Sequence, residues 1–176
     1  MIETERLILR KFTIDDVEES YQMNKDPTVQ RYLPSEGPLT RKNVEHMIKN
    51  NVLADYKEHG FGRLAVIHKQ DNRFIGFTGL KYVPEFDAVD IGYRLNSAYW
   101  GQGLATESAL PTIEYGFKVL KLPRIVAAAI ADNQGSIRVM EKLGMHFEKT
   151  LELDGHPCVY YVMENPELSG QDRNSE

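Results

Sequence analysis

The stretch Asp90–Glu107 reads DIGYRLNSAYWGQGLATE, and the rest of the chain is arranged around it. Its first part alternates apolar and polar residues, as a strand with one packed face does. Gly101 and Gly103 follow, one residue apart, and then Leu104, Ala105, Ala109, Ile113 and Phe117 recur at helical spacing. Strand, glycine loop and helix mouth in succession outline an anion site. Glycine has no Cβ, so backbone N–H groups there can close on a ligand, and the helix dipole adds partial positive charge. The expected guest is a phosphorylated cofactor.

Three cofactor readings compete for this loop. A phosphate-transfer loop needs a lysine and a hydroxyl directly after its last glycine, but Leu104, Ala105 and Thr106 follow Gly103. A dinucleotide fingerprint wants a third glycine where Thr106 stands and a glycine loop directly after the strand, whereas Asn96–Trp100 intervenes. Asp132 suits the ribose-binding acid, yet too little chain follows it to build a doubly wound sheet. In the third reading, Trp100, Gly101, Gln102, Gly103, Leu104 and Ala105 resemble motif A of the GNAT superfamily of acyl-CoA-dependent N-acetyltransferases, Gln/Arg-x-x-Gly-x-Gly/Ala. Trp100 departs from the first position in the manner of the branch that resembles bacterial ribosomal-protein-alanine N-acetyltransferases. The opening TERLILR, Thr4–Arg10, is similar to the start of that same branch.

Composition agrees with one soluble domain. The chain has 176 residues, 41% hydrophobic and 27% charged, enough for a proper core and ordinary for a globular protein. A net charge of −5 argues against a nucleic-acid surface and favours cationic partners. The single cysteine, Cys158, rules out an intramolecular disulfide and a multi-cysteine metal site. The five histidines show no paired ligand spacing, so no metal is expected. No apolar run reaches membrane-spanning length and no signal peptide opens the chain, which points to the cytoplasm.

Read in order, Thr4–Phe12 is a strand, and Thr13 caps a helix running to about Asn24. Asp26-Pro27 breaks that helix, Pro34–Pro38 is a loop, and a second helix runs from Thr40 to Gly60. Gly62–His68, Phe74–Tyr82 and Val89–Leu95 form an antiparallel meander. A helix then spans Gly103–Lys118, where Pro111 demands a kink or an earlier end. Ile125–Ala131 is a central strand, Asn133–Leu143 a helix, and Phe147–Leu153 with Cys158–Met163 a closing hairpin around Asp154-Gly155. Residues 1–164 make one domain, and 165–176 are expected to be a disordered polar tail. The resemblance implies a mixed α/β fold: a mostly antiparallel seven-stranded sheet with helices on both faces, split between its two central parallel strands.

A second stretch, Asn133–Phe147, NQGSIRVMEKLGMHF, resembles GNAT motif B at Asn133, Ser136, Lys142 and Gly144. Met140 stands where many members carry a tyrosine proposed to protonate the departing thiolate. Methionine has no proton to give. The resemblance puts Ser136 forward instead as general acid, with protonation by water as the alternative. For Asn133 a helix cap explains the residue as well as a contact to the pantetheine arm does. The resemblance also implies that backbone N–H groups of Tyr93, Arg94 and Leu95 face the thioester and that the amides of Gln102–Thr106 hold the pyrophosphate of acetyl-CoA. Asp90 is the leading candidate base, with Glu85, Asp87 and His156 as competitors. Tyr21, Tyr32 and Phe61 either line the acceptor slot or pack in the core. The implied activity is acetyl transfer to an amine, first a protein N-terminal α-amine, whose pKa near 8 makes deprotonation at pH 7 cost only about 1.4 kcal/mol against about 4.6 for lysine. Two alternatives remain open: a small-molecule amine as acceptor, or an acyl-CoA sensor without turnover. The closing hairpin offers an edge for pairing in a homodimer.

Overall fold

The computed structural model describes residues 1–33 and 39–168. Its centre is one eight-stranded sheet in the order β1-β2-β3-β4-β5-β6-β8-β7. The strands are β1 (Ile2–Glu3), β2 (Leu7–Lys11), β3 (Arg63–His68), β4 (Arg73–Val83), β5 (Ala88–Leu95), β6 (Arg124–Ile130), β7 (His146–Leu153) and β8 (His156–Glu164). Every neighbouring pair is antiparallel except β5 and β6. The expectation of a split, mostly antiparallel sheet holds, but the described residues form eight strands rather than seven. The chain turns at Thr4, whose amide donates to the Leu7 carbonyl at 2.9 Å, so that Ile2–Glu3 folds back onto Ile8 and Leu9 as an extra edge strand.

Among the described residues six α-helices cover the sheet: α1 (Val17–Asn24), α2 (Pro27–Gln30), α3 (Arg41–Met47), α4 (Leu53–Glu58), α5 (Leu104–Lys118) and α6 (Gln134–Lys142). A turn of 3-10 helix at Ile14–Asp16 precedes α1, with Thr13 in a capping box with Asp16. The break expected at Asp26-Pro27 is a restart: the Asp26 carboxylate caps α2 through the Thr28 amide, and Pro27 occupies its first turn, where a missing N–H costs nothing. The helix expected from Thr40 is continuous to Glu58 but unwinds into a wider π segment at Ile48–Val52. A π turn leaves no periodic signature strong enough to read in advance.

Helix α5 runs through Pro111 without ending. The Thr112 hydroxyl donates to the Ser108 carbonyl at 2.9 Å and the Ser108 hydroxyl to the Ala105 carbonyl at 2.9 Å, placing side-chain hydrogen bonds around the interruption. One face of the sheet packs Leu80, Val89, Ile91 and Ile125 against α5 and α6 through Ile113, Phe117, Met140 and Leu143. The other packs Ala65, Phe74 and Phe77 against Val17, Val44, Ile48 and Val52 of the first helices. Tyr21 packs into this second core, Phe61 packs against the first, and Tyr32 borders the cavity described below.

Glu107 fixes the mouth of α5. Its carboxylate accepts from the Thr4 hydroxyl at 2.6 Å, the Arg6 amide at 2.9 Å and the Arg6 Nε at 2.7 Å. Two of the three stretches that carried the family resemblance, TERL and the one running from the glycine loop into α5, are thus tied to each other. Residues 34–38, expected as a loop, and the polar tail beyond Leu168 lie outside the described residues. Asn165–Leu168 is described and is held by the Asn165 amide, which donates to the Pro123 carbonyl at 2.8 Å. Among the described residues, no helix is long and apolar enough to cross a membrane.

Candidate active site

Strands β5 and β6 meet at one register pair, Asp90 with Val126, and then part. On its other side β5 stays paired with β4 as far as Leu95, and β6 with β8 as far as Ile130. Both partings therefore belong to the same gap, and the β5 backbone beyond Asp90 has no ladder with β6. The gap opens a cavity of about 640 Å³, in the range of small-molecule and cofactor sites.

Asp90, Tyr93, Arg94, Leu95, Trp100, Gly101, Gly103, Leu104, Ala105, Thr106, Asn133 and Ser136 all border this cavity. Gln102 does not. Its exposed side chain donates to the Ala98 carbonyl at 3.3 Å. The two glycines flanking it have φ of +74° and +79°, a left-handed backbone that a side chain strains. A Cβ on Gly101 would meet nothing within 4 Å. The indole of Trp100 donates to the Leu95 carbonyl at 2.7 Å and clips the loop to the end of β5. Gly103 precedes the first helical residue of α5, whose leading N–H groups have no carbonyl one turn back, and the first residues of that turn, Leu104, Ala105 and Thr106, border the cavity.

At the other wall, Asn133 caps α6, its Oδ1 accepting from the Ser136 amide at 3.1 Å. The Tyr93 hydroxyl donates to the Ser136 carbonyl at 2.9 Å and lies 3.1 Å from the Ser136 hydroxyl. Burial pushes the Tyr93 phenol up to about 12, against the opposing effect of its bond to Ser136. Met140 is fully buried in the core beneath.

Asp90 is the one carboxylate on the cavity lining among the described residues. The competing acids Glu85 and Asp87 are exposed and lie off the cavity, Asp87 accepting from the Tyr82 hydroxyl at 2.7 Å; His156 sits exposed at the start of the last strand. The sequence did not announce the partner of Asp90. Arg63, two strands away on β3, reaches across β4 and β5 to place Nη2 2.5 Å from Asp90 Oδ1, and its Nη1 also donates to the Gly79 carbonyl. This path is open because Arg63, Gly79 and Gly92 are register neighbours across three strands. A Cβ on Gly92 would lie 2.5 Å from the guanidinium. Glycine inside two adjacent strands was the available signal, since such positions mark close approach.

Arg94 also points a cation at this end. Its Nη1 donates to Asn24 Oδ1 at 2.7 Å, and its guanidinium lies 5.3 Å from the Phe77 ring centre. Burial first, and then the neighbouring Arg63, push it down to about 10, so it stays cationic at neutral pH. Arg138 and Lys142 border the cavity from α6. In a chain of net charge −5, this lining carries four cations and one acid.

Parted parallel strands with free backbone donors, a helix mouth behind two left-handed glycines and a cationic lining define an acyl-CoA-dependent transferase. The residues present fit that cosubstrate: the open space at Gly101 and the leading amides of α5 suit a diphosphate, and the gap suits a narrow arm. Residues 6–146 match the family described as acetyltransferase (GNAT) domain, and the chain belongs to it. It is 34% identical over 148 residues to the uncharacterized N-acetyltransferase YnaD of Bacillus subtilis, covering 84% of this chain and 83% of that one. A GNAT-family acetyltransferase structure from Bacillus anthracis superposes with a TM-score of 0.78 at 32% identity, over 93% of this chain and 98% of that one. The ribosomal-protein-S5-alanine acetyltransferase of Vibrio fischeri shares the fold, with a TM-score of 0.78 at 22% identity over 94% and 97% of the two chains. The protein is an acetyl-CoA-dependent N-acetyltransferase.

Proposed function

We propose that the protein acetylates an amine by direct attack, with a protein N-terminal α-amine as the first acceptor and a small-molecule amine as the second. The observation that carries this reading is that Asp90, at the point where β5 and β6 separate, is the one carboxylate lining the cavity among the described residues. One carboxylate suffices for an amine with a pKa near 8, whose deprotonation at pH 7 costs about 1.4 kcal/mol; a lysine amine needs about 4.6 kcal/mol.

Acetyl-CoA supplies the thioester carbonyl. The chain's own groups do the rest. Backbone N–H groups at the mouth of α5 and around Gly101 and Gly103 hold the diphosphate, with Leu104, Ala105 and Thr106 contributing their amides. The β5 backbone at Tyr93–Leu95 presents donors toward the gap, where negative charge develops on the carbonyl oxygen. Asp90 accepts the amine proton directly or through water, and its bond to Arg63 fixes the carboxylate in one orientation. Ser136, held by Asn133 and Tyr93, stands ready to return a proton to the departing sulfur; Met140 has none to give.

Thiol release from acetyl-CoA, measured with a panel of peptide N-termini and small amines, tests the reading. Acceptor-dependent release supports it. Tight CoA binding with no release from any amine identifies an acyl-CoA sensor instead.

A further inference from the structure

We infer that the acceptor carries a carboxylate close to its amine and that the Arg94 guanidinium receives it. Three placements lead here. Arg94 is half-buried and borders the cavity, yet among the described residues it makes one side-chain hydrogen bond, to the neutral Asn24, and no ion pair. Guanidinium offers five N–H donors in a planar fork suited to a carboxylate. Burying such a charge without an anion is costly unless something supplies the missing acceptor. Asp90 does not supply it: among the described residues its carboxylate pairs with Arg63 and not with Arg94. Asn24 is itself nearly fully buried and donates its amide to the Ser20 carbonyl at 2.7 Å, which leaves Oδ1 to hold Arg94 in position.

The position on the sheet assigns Arg94 to the acceptor. Asp90 and Arg94 lie four residues apart on β5, so their side chains emerge on one face. That face is shared with Phe77 and the first helices, opposite the face where Val89, Ile91 and Leu95 meet α5. At about 3.3 Å per strand residue the Cα atoms of Asp90 and Arg94 stand roughly 13 Å apart, a separation that the Arg94 side chain and the acceptor's own amine-to-carboxylate span together bridge when the amine lies at Asp90. The cavity's remaining cations, Arg138 and Lys142, stand on α6 at the cofactor wall.

This inference rests on Asp90 marking the amine's position, and the test separates the two. The CoA-saturated protein is titrated calorimetrically with L-amino acids and their α-carboxamides, and with short carboxamide-ended peptides beginning with Asp or Glu and their Asn or Gln counterparts. The expected result is that one set of acids binds roughly tenfold or more tightly than its neutral counterparts. The amino-acid arm identifies an α-carboxylate, and the peptide arm an acidic first side chain. Arg94→Met should abolish the preference while leaving CoA affinity unchanged, and Arg94→Lys, which keeps charge and length, should retain part of it. Equal binding of acids and neutral analogues, no acid binding at all, or loss of CoA affinity in Arg94→Lys overturns the inference. Thiol release is read in parallel: acids that bind without ever being acetylated count against the amine reading, whereas indiscriminate acetylation counts against the carboxylate site.

Discussion

The phenol of Tyr93 touches Ser136 twice, donating to its carbonyl oxygen at 2.9 Å and lying 3.1 Å from its hydroxyl, so the strand that carries the gap is bonded to the first turn of α6. The Ser136 hydroxyl is therefore positioned from outside its own helix. Tyr93→Phe and Ser136→Ala should each lower kcat, by about 10²-fold for a lost proton donor, with little change in the KM for acetyl-CoA. Because the two groups act as a unit, the double variant should be no slower than the worse single one. Multiplying losses would show that they act separately. With the phenol pushed up to about 12, the wild-type rate should show no loss from its ionisation in the neutral and mildly alkaline range.

Glu107 governs stability rather than chemistry. Burial pulls its pKa up, but the Thr4 hydroxyl, the Arg6 amide and the Arg6 guanidinium outweigh burial and hold the carboxyl below the usual range. A depressed folded pKa means the stabilisation is fully present above the unfolded value near 4.3 and is lost as pH falls through the lower folded value. Glu107→Gln keeps the shape and removes the charge. Urea unfolding at pH 7 should show a loss of about 2 kcal/mol, the size of charge-assisted hydrogen bonds, and the difference from wild type should shrink in acid. An equal difference at pH 3 and pH 7 would exclude the carboxylate as its source.

The contrast between Glu107 and Arg63 also explains what the sequence revealed. Alternation over Val89–Leu95, the glycine loop and the apolar spacing after it located strand, loop and helix, because each is a local pattern with its own period. Thr13 and Asn133 were legible as caps for the same reason. Arg63–Asp90 was not, since the two residues are 27 positions apart and touch only because two glycines on intervening strands fall into register. The extra strand at Ile2–Glu3 was missed because a two-residue strand is shorter than any period. The π segment at Ile48–Val52 hid inside a helical pattern that it barely perturbs.

Asp90→Asn tests the proposed base. The amide keeps an acceptor for Arg63 but takes up no proton, so kcat should fall by about 10²-fold or more at pH 7. The deficit should narrow toward pH 9, where an amine of pKa near 8 has already lost its proton. A deficit that stays constant with pH would assign Asp90 to positioning of the acceptor instead. Melting temperature, followed in parallel, reports whether the Arg63 contact survives.

Glycines at the two ends of the cavity should fail differently. At Gly101, with φ of +74° and no atom within 4 Å of where a methyl would sit, alanine meets only backbone strain, of about 1–2 kcal/mol. Its methyl then occupies the space assigned to the diphosphate, so Gly101→Ala should raise the KM for acetyl-CoA several-fold with a modest change in kcat. At Gly92 the methyl would sit 2.5 Å from the Arg63 guanidinium, which is held by both Asp90 and the Gly79 carbonyl and has little freedom to retreat. Gly92→Ala should therefore cost about 1–3 kcal/mol of stability, as overpacking does, and should lower kcat while sparing the KM for acetyl-CoA. Steady-state kinetics with denaturant unfolding reads both quantities for each variant. An unchanged cosubstrate KM in Gly101→Ala would remove the loop from the binding site, and an unperturbed kcat in Gly92→Ala would detach Arg63–Asp90 from the reaction.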